Sequence, residues 1–241
     1  MLVLLLGGTR DATEIAAQLR LLPSTEVIVS VAGRTKLAAG DRVGGFGGVA
    51  GLRDYLATNQ VNVVVDATHP FAERMSANAA LACAEIGVGL VRFLRPGWHN
   101  HPHADSWVWV ANHDEAAKAA AIGGRVLLTV GRQSLGHYVG LPDVIARVAE
   151  DDGTPVPASW RVLASRGPFS LADERKLLAD NHVKVLVSKD SGGQLTSAKL
   201  DAARELGVTV IMVARPPTPA GVTEVNTVAG VIDFVRAQAQ P

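Results

Sequence analysis

A single cysteine, Cys83, stands among the 241 residues. One thiol makes no internal disulfide framework, so stability has to come from packed apolar surface, and a reducing cytoplasm is the expected setting. Cys83 lies in the alanine-rich stretch 79–84, where inert helix packing is expected rather than a reactive thiol. Charge of one sign is also lacking: 23 Lys and Arg balance 23 Asp and Glu. No global field therefore draws nucleic acid or an anionic membrane, and an anionic ligand must be held by local basic residues. Long hydrophobic runs are missing too. The apolar start Leu2-Val3-Leu4-Leu5-Leu6 stops at Gly7-Gly8-Thr9 without a basic segment before it, too short for a signal peptide or a membrane span. Several catalytic signatures are absent as well. Neither tyrosine, Tyr55 or Tyr138, is followed four residues later by lysine, and no Walker loop or Ser-His-Asp nucleophile motif occurs. Hydride transfer is the chemistry that needs no such machinery.

What is present is alternation. Strands are expected at 2–6, 26–31, 61–66, 89–94 and 107–110, with helices at 12–21, 52–58, 71–86 and 114–121 between them. Runs such as Val63-Val64-Val65 are apolar on both faces, the pattern of strands covered by helices on each side of a parallel sheet. The second half repeats the pattern, with strands at 125–130, 143–148, 161–164, 183–187 and 209–213 and helices at 171–180, 194–206 and 228–237. The expected fold is α/β, two Rossmann-like doubly wound parallel-sheet domains with a cleft between them, divided into residues 1–123 and 124–241. Whether every strand stays in its own half is left open.

Sliding the chain by 120 residues lays 62–96 on 182–216 without a gap, with eight identities in 35 positions, among them Val63/Val183, Gly87/Gly207, Arg95/Arg215 and Pro96/Pro216. This supports an internally duplicated plan, although the grammar of βαβ units alone produces some of these matches.

Parallel sheets bind ligands where their strands end, so those positions carry the candidate chemistry. After the first strand, Gly7, Gly8, Thr9, Arg10 and Asp11 lead into a helix. Glycine lets a phosphate approach the backbone, and the helix start offers unpaired N–H groups. The alternative is a tight strand-to-helix turn. The second strand is followed by Ala32-Gly33-Arg34-Thr35-Lys36, with no carboxylate to grip ribose hydroxyls. Arg34 and Lys36 instead suit a 2′-phosphate, favouring NADPH over NADH, unless they form a solvated basic turn. Gly44-Gly45-Phe46-Gly47-Gly48 reads equally as a close approach to a flat ligand or as a flexible loop. Asp66-Ala67-Thr68-His69-Pro70-Phe71-Ala72 follows a buried strand, with Pro70 expected in the first helical turn and Thr68 or His69 at its cap. His69 is either a site residue or a capping one.

The counterpart segment in the second half is Ser188-Lys189-Asp190-Ser191-Gly192-Gly193, which reads as an anion nest or a capped turn. Lys199 lies farther along its helix. Arg95 and Arg215, each before a proline, read evenly as carboxylate grips or structural ion pairs, and Arg132 ends another strand. His99, His101 and His103 alternate, but Pro102 points to a loop and no metal is expected.

Taken together, Leu6-Gly7-Gly8-Thr9, the segment 66–72, the segment 188–193 and Arg215-Pro216 resemble the precorrin-6A reductase family. That resemblance implies NADPH-dependent reduction of one double bond in a corrin precursor, metal-free or cobalt-containing, in cobalamin biosynthesis. It implies a flat, polycarboxylated tetrapyrrole as partner, with Arg132, Ser188, Lys189, Ser191, Gly192, Gly193, Lys199 and Arg215 as its contacts. Gly7, Gly8, Thr9, Arg10, Asp11, Ala32, Gly33, Arg34, Lys36 and Thr68 become the cofactor contacts. His69 and Lys189 are the catalytic candidates, one of them or water supplying the proton that accompanies hydride. A monomer or small homo-oligomer is expected. A two-domain transferase using a nucleotide donor and a non-catalytic dinucleotide sensor are the rival readings.

Overall fold

Among the described residues the chain forms two six-stranded sheets whose strands all run parallel. The computed structural model describes residues 1–33, 40–151, 153–193 and 196–239. In the first sheet, β1 (Leu2–Leu6), β2 (Glu26–Val31), β3 (Arg42–Val43), β4 (Val63–Asp66), β5 (Gly89–Phe93) and β12 (Thr223–Val225) take the order β12-β5-β4-β1-β2-β3. The second sheet, with β6 (Val108–Val110), β7 (Arg125–Leu128), β8 (Val144–Val148), β9 (Arg161–Ala164), β10 (Val183–Lys189) and β11 (Thr209–Val213), runs β6-β11-β10-β7-β8-β9. Both orders are the doubly wound 3-2-1-4-5-6 arrangement of a dinucleotide-binding fold.

In each sheet, however, the outermost strand beyond the fifth comes from the other half of the chain. Val108 pairs with Ile211 and Val110 with Val213, while Thr223 pairs with Val91 and Val225 with Phe93. The next helix in the chain travels with each strand: α4 (His113–Ala120) packs on β10 and β11, and α7 (Val228–Ala237) packs on α1 (Arg10–Leu19) and β5. The compact units are consequently Met1–Pro96 with Pro216–Pro241, and Gly97–Arg215. This corrects the division at 123/124. The chain crosses between sheets directly after Arg95-Pro96 and Arg215-Pro216, where proline removes a ladder donor and ends pairing.

Burial explains the apolar strands. Along β1, Val3 and Leu5 face α1 and α7, meeting Ile15, Leu19, Val231 and Val235. Leu4 and Leu6 face the opposite layer of α2 (Gly48–Thr58) and α3 (Glu73–Ile86), meeting Leu52, Leu56 and Ala79. A strand covered on both faces favours apolar residues along its length. Each such leucine, fully buried, contributes about 1.5–3 kcal/mol. In the second unit Leu127, Ile145 and Leu186 pack with Leu178 of α5 (Leu171–Asp180) and with Leu200, Ala202 and Ala203 of α6 (Ala198–Glu205). Helix starts follow their caps: Thr9 for α1, Asn112 for α4, Thr227 for α7, and a reciprocal Ser170–Asp173 capping box for α5.

The duplicated plan has one correction in register. The 120-residue offset equates Gly89 with Thr209, but Val63 pairs with Gly89 whereas Val185 pairs with Thr209. On the fourth strands the true counterparts are therefore two residues farther apart, matching Asp66 with Ser188 and Thr68 with Asp190. A register irregularity between Val183 and Val185 marks the change.

Candidate functional site

In the first unit, the end of β1 is shaped by two glycines with different tasks. Gly7 donates its N–H to Ser30 O at 2.8 Å, and a Cβ there would lie 3.3 Å from Val29 Cγ1, so Gly7 serves close packing. Gly8 has φ of +105°, and a Cβ there would meet nothing within 4 Å. The backbone at Gly8 therefore borders open space beside the start of α1. Thr9 accepts from Ala12 N at 3.0 Å and donates its Oγ1–H to Ala67 O at 2.9 Å, tying the ends of β1 and β4 together. Arg10 is exposed at the first helical position, and Asp11 pairs with Arg95 at 3.0 Å. Backbone N–H groups at a capped helix start, reached over a glycine, are a donor set that fits a diphosphate.

At the end of β2, Gly33 turns the chain at φ +70°, where a Cβ would press within 2.7 Å of Val43 Cγ1. Ala32 precedes it. Arg34 and Lys36 lie outside the described residues. A residue that sequence reasoning missed orders the glycine-rich loop. Arg42 donates to Gly44 O and Gly45 O, both at 2.7 Å, and its guanidinium stands 3.6 Å above the Phe46 ring. The loop is thus held by a cation with bonds to its carbonyls, not merely by glycine's permissiveness.

The end of β4 is organised by Asp66, whose side chain is 2% exposed. It accepts from Thr68 N at 3.1 Å, Thr68 Oγ1 at 2.6 Å and Ser76 Oγ at 2.5 Å. Arg92 Nε stands 3.8 Å away, and Arg92 Nη2 donates to Pro70 O at 3.2 Å. Both flanks of His69 are thereby fixed. The imidazole Nδ1 accepts from Phe71 N at 3.2 Å. The expected cap does not form: α3 begins at Glu73 after Ala72, without a side-chain cap, so Pro70 precedes the helix instead of opening it. The reason is local, since Thr68 and His69 direct their polar atoms to Asp66 and Phe71. Asp66 had a signal in the sequence, as the one carboxylate ending an otherwise apolar strand.

In the second unit, β10 continues through Ser188 and Lys189, two residues beyond its expected end. Ser188 is buried. Lys189 stands beside Gly131, where φ is +79° and an added Cβ would lie 3.8 Å from Lys189 Nζ. A 3₁₀ turn (Arg132–Tyr138) follows Gly131 and carries Arg132 and the buried Tyr138. Tyr138 Oη lies 2.8 Å from His113 Nδ1. Burial, then the charges of Lys189 and His137, push His113 down to about 4, so its ring is neutral at pH 7. His113 and Tyr138 escaped sequence reasoning because the start of α4 and the 3₁₀ turn, 25 residues apart, meet only in the folded unit.

Asp190, nearly solvent-free, accepts from Trp98 N at 2.7 Å, and its Oδ2 lies 3.2 Å from Arg215 Nε, which also donates to Asp190 O at 2.6 Å. Of the two readings of Arg215, the ion pair is the one present; Arg95 likewise pairs with Asp11. Ser191 N–H turns back to Lys189 O at 2.6 Å, and Gly192 and Gly193 have φ of +64° and +86°. Thr196 Oγ1 donates to their carbonyls at 3.1 Å. Lys199 is buried, donating to Thr196 O at 2.7 Å beside the bidentate Arg147–Glu174 pair, whose two bonds are each 2.9 Å. Burial, then the Arg147 charge, lowers its pKa to about 8. In the alternating histidine segment, His99 stacks on Trp109 at 3.8 Å and His101 Nδ1 accepts from His103 N.

Two parallel sheets with site residues at their strand ends match one known group over nearly the whole chain. A profile of the family "Precorrin-6x reductase CbiJ/CobK" covers residues 2–236. The chain belongs to this precorrin-6x reductase family. It is 41% identical over 240 residues to a precorrin-6A reductase of Rhodococcus erythropolis, covering 97% of this chain and 96% of that one. Identity is 42% over 234 residues to the precorrin-6A reductase of Mycobacterium tuberculosis strain H37Rv, with 94% and 93% covered. A solved structure of CobK precorrin-6A reductase superposes with a TM-score of 0.88 at 38% identity, covering 99% of this chain and 97% of that chain. As a member of the precorrin-6x reductase family the chain is an oxidoreductase of cobalamin biosynthesis, and the transferase and sensor readings fall. Among the described residues no helix is long and apolar enough to cross a membrane.

Proposed function

We propose that the chain uses NADPH to reduce one double bond of the metal-free macrocycle precorrin-6A, in the cytoplasm, as a monomer or small homo-oligomer. The observation that carries this reading is the open space at Gly8, next to the capped start of α1, in a chain of the precorrin-6x reductase family. When bound, NADPH supplies a hydride, and the protein's task is orientation. Gly7, Gly8, Thr9, Arg10 and Asp11 form the diphosphate turn, Ala32 and Gly33 border the adenosine end, and Arg34 with Lys36 reads the 2′-phosphate. Thr68 borders the nicotinamide end. In the second unit Arg132, Ser188, Lys189, Ser191, Gly192 and Gly193 are assigned to the carboxylate-rich macrocycle, whereas Lys199, buried on Thr196 O, and Arg215, paired with Asp190, are engaged within the protein. A carbon next to the hydride acceptor must take a proton, and Lys189, an ammonium on the last residue of β10, is suited to give it. His69 completes the polar contacts on the first unit. The metal-free substrate is chosen because the relatives at 41% and 42% identity carry the name precorrin-6A reductase.

The test is equilibrium binding of NADPH and NADH, followed by NADPH oxidation with the macrocycle supplied. NADPH should bind at least tenfold more tightly than NADH, and Arg34→Ala should erase most of that difference, each lost tenfold being about 1.4 kcal/mol. An Arg34→Ala protein with unaltered NADPH affinity would overturn the cofactor assignment. Oxidation of NADPH that does not depend on the macrocycle would overturn the substrate.

A further inference from the structure

His69 is held in a way that dictates which of its ring nitrogens carries the proton. Its neighbours on both sides are immobilised from within the core. Thr68 is bonded through N and Oγ1 to the buried Asp66, and Pro70 O receives Nη2 of the buried Arg92. Between them the imidazole turns back on its own chain, and Nδ1 accepts the Phe71 N–H at 3.2 Å. A nitrogen that accepts has a lone pair and no hydrogen. In a neutral imidazole the single proton then resides on Nε2, which can only donate. Any partner of Nε2, in the resting chain or the loaded one, is therefore an acceptor.

This arrangement also limits chemistry. To act as an acid and finish neutral, His69 would have to begin as an imidazolium with a second proton on Nδ1, directed at the Phe71 N–H. Beginning neutral, it would have to finish as an imidazolate. The first route gives up the Phe71 N–H bond to Nδ1, in a segment whose flanks Asp66, Ser76 and Arg92 fasten down. The second leaves that bond intact but ends in an imidazolate, an anion far too high in energy at neutral pH. We infer that His69 is a hydrogen-bond donor, through Nε2–H, to a carboxylate or carboxamide oxygen of the bound molecules, and not the acid that protonates the reduced ring. The inference deepens the proposed function and rests on it. It removes one of the two side-chain candidates for the proton and gives His69 a binding task. Two sources offer the required oxygen: a carboxylate of the macrocycle, or the carboxamide of nicotinamide.

The experiment has two parts. The first reads the tautomer in the wild-type protein at pH 7.5, using long-range proton–nitrogen correlation of ¹⁵N-labelled histidine, with the His69 signal identified by its loss in His69→Gln. One protonated and one bare nitrogen, the protonated one being Nε2, is the expected result. The Nδ1–H form or an imidazolium would overturn the inference whatever the enzyme reduces. The second compares His69→Gln with His69→Ala. The Gln amide places an N–H near the position of Nε2 but is no acid. With a donor role, His69→Gln keeps kcat within about threefold, whereas a lost general acid would cost about a hundredfold or more. A kcat in His69→Gln lowered by about a hundredfold or more would overturn the donor role. His69→Ala separates the sources. A KM for the macrocycle raised about tenfold with NADPH affinity unchanged identifies the carboxylate, and the reverse identifies the carboxamide. If the wild-type protein fails to oxidise NADPH with the macrocycle, the functional reading falls, while the tautomer measurement still tests the geometry.

Discussion

Asp66 Oδ2 and Arg92 Nε lie 3.8 Å apart with almost no solvent around either side chain, and together they secure both flanks of His69. Asp66 draws in Thr68 and Ser76, while Arg92 reaches Pro70 O and Thr218 Oγ1. The pair costs desolvation, and its stabilising value depends on every remaining lone pair being used. Here its clear service is to hold a turn that no helix cap holds.

Removing one member should therefore be expensive. Asp66→Ala leaves Arg92 buried without its counter-charge, and a loss of about 3–5 kcal/mol is expected. Ser76→Ala, which removes one hydroxyl donor, should cost about 1 kcal/mol. Urea titrations give both values. Equal midpoints for wild type and Asp66→Ala would show that the pair does not matter to the fold.

Gly8→Ala separates backbone shape from fold. The added methyl meets no protein atom, but φ of +105° is unfavourable for an L-residue. A stability loss of about 1–2 kcal/mol is expected from this conformation. NADPH affinity should fall about tenfold or more, because the methyl would occupy the space proposed for the diphosphate. Fluorescence titration with NADPH, beside a thermal melt, reads the two effects separately. Unchanged affinity in a folded Gly8→Ala protein would count against that space as the diphosphate site.

Lys199 predicts a pH dependence with a definite sign. Its folded pKa is lowered from 10.5 to about 8, first by burial and then by Arg147. Between those values the unfolded chain binds more protons than the folded one, so stability rises with pH from about 8 toward 10.5. Below about 8 both states are protonated and the full penalty, on the order of 3 kcal/mol, is present. Lys199→Met should lose the rise between pH 7.5 and 9.5 and be no less stable than wild type at pH 7.5. Parallel urea curves at the two pH values decide it; the same pH slope in the wild-type protein and in Lys199→Met would contradict the burial argument.

The site was partly legible in the sequence. Gly7-Gly8-Thr9 announces its own turn because a strand, a glycine and a capping threonine are neighbours in the chain. His69 and Lys189 were legible as strand-end residues, since an apolar run shows where its strand stops. The partners that restrain them were not. Asp66 meets Arg92, Asp190 meets Trp98 and Arg215, and His113 meets Tyr138 across 25 to 92 residues. No periodicity carries such pairings.

The sequence by itself determined the alternation of strand and helix, the parallel character of both sheets and the family. Those stem from local patterns: apolar runs for strands buried on two faces, striped runs for helices, and motifs read in order. Tertiary structure alone decided which sheet each terminal strand joins. β6 and β12 have three residues each, and either could pair in parallel with the same kind of apolar edge. Their sheet is chosen by the next helix along the chain, as Val231 and Val235 of α7 fill the core around Ile15 and Leu19, while α4 settles on β10 and β11. The short strands carry little register information of their own; the helices, with more surface to bury, take them to the opposite halves of the chain.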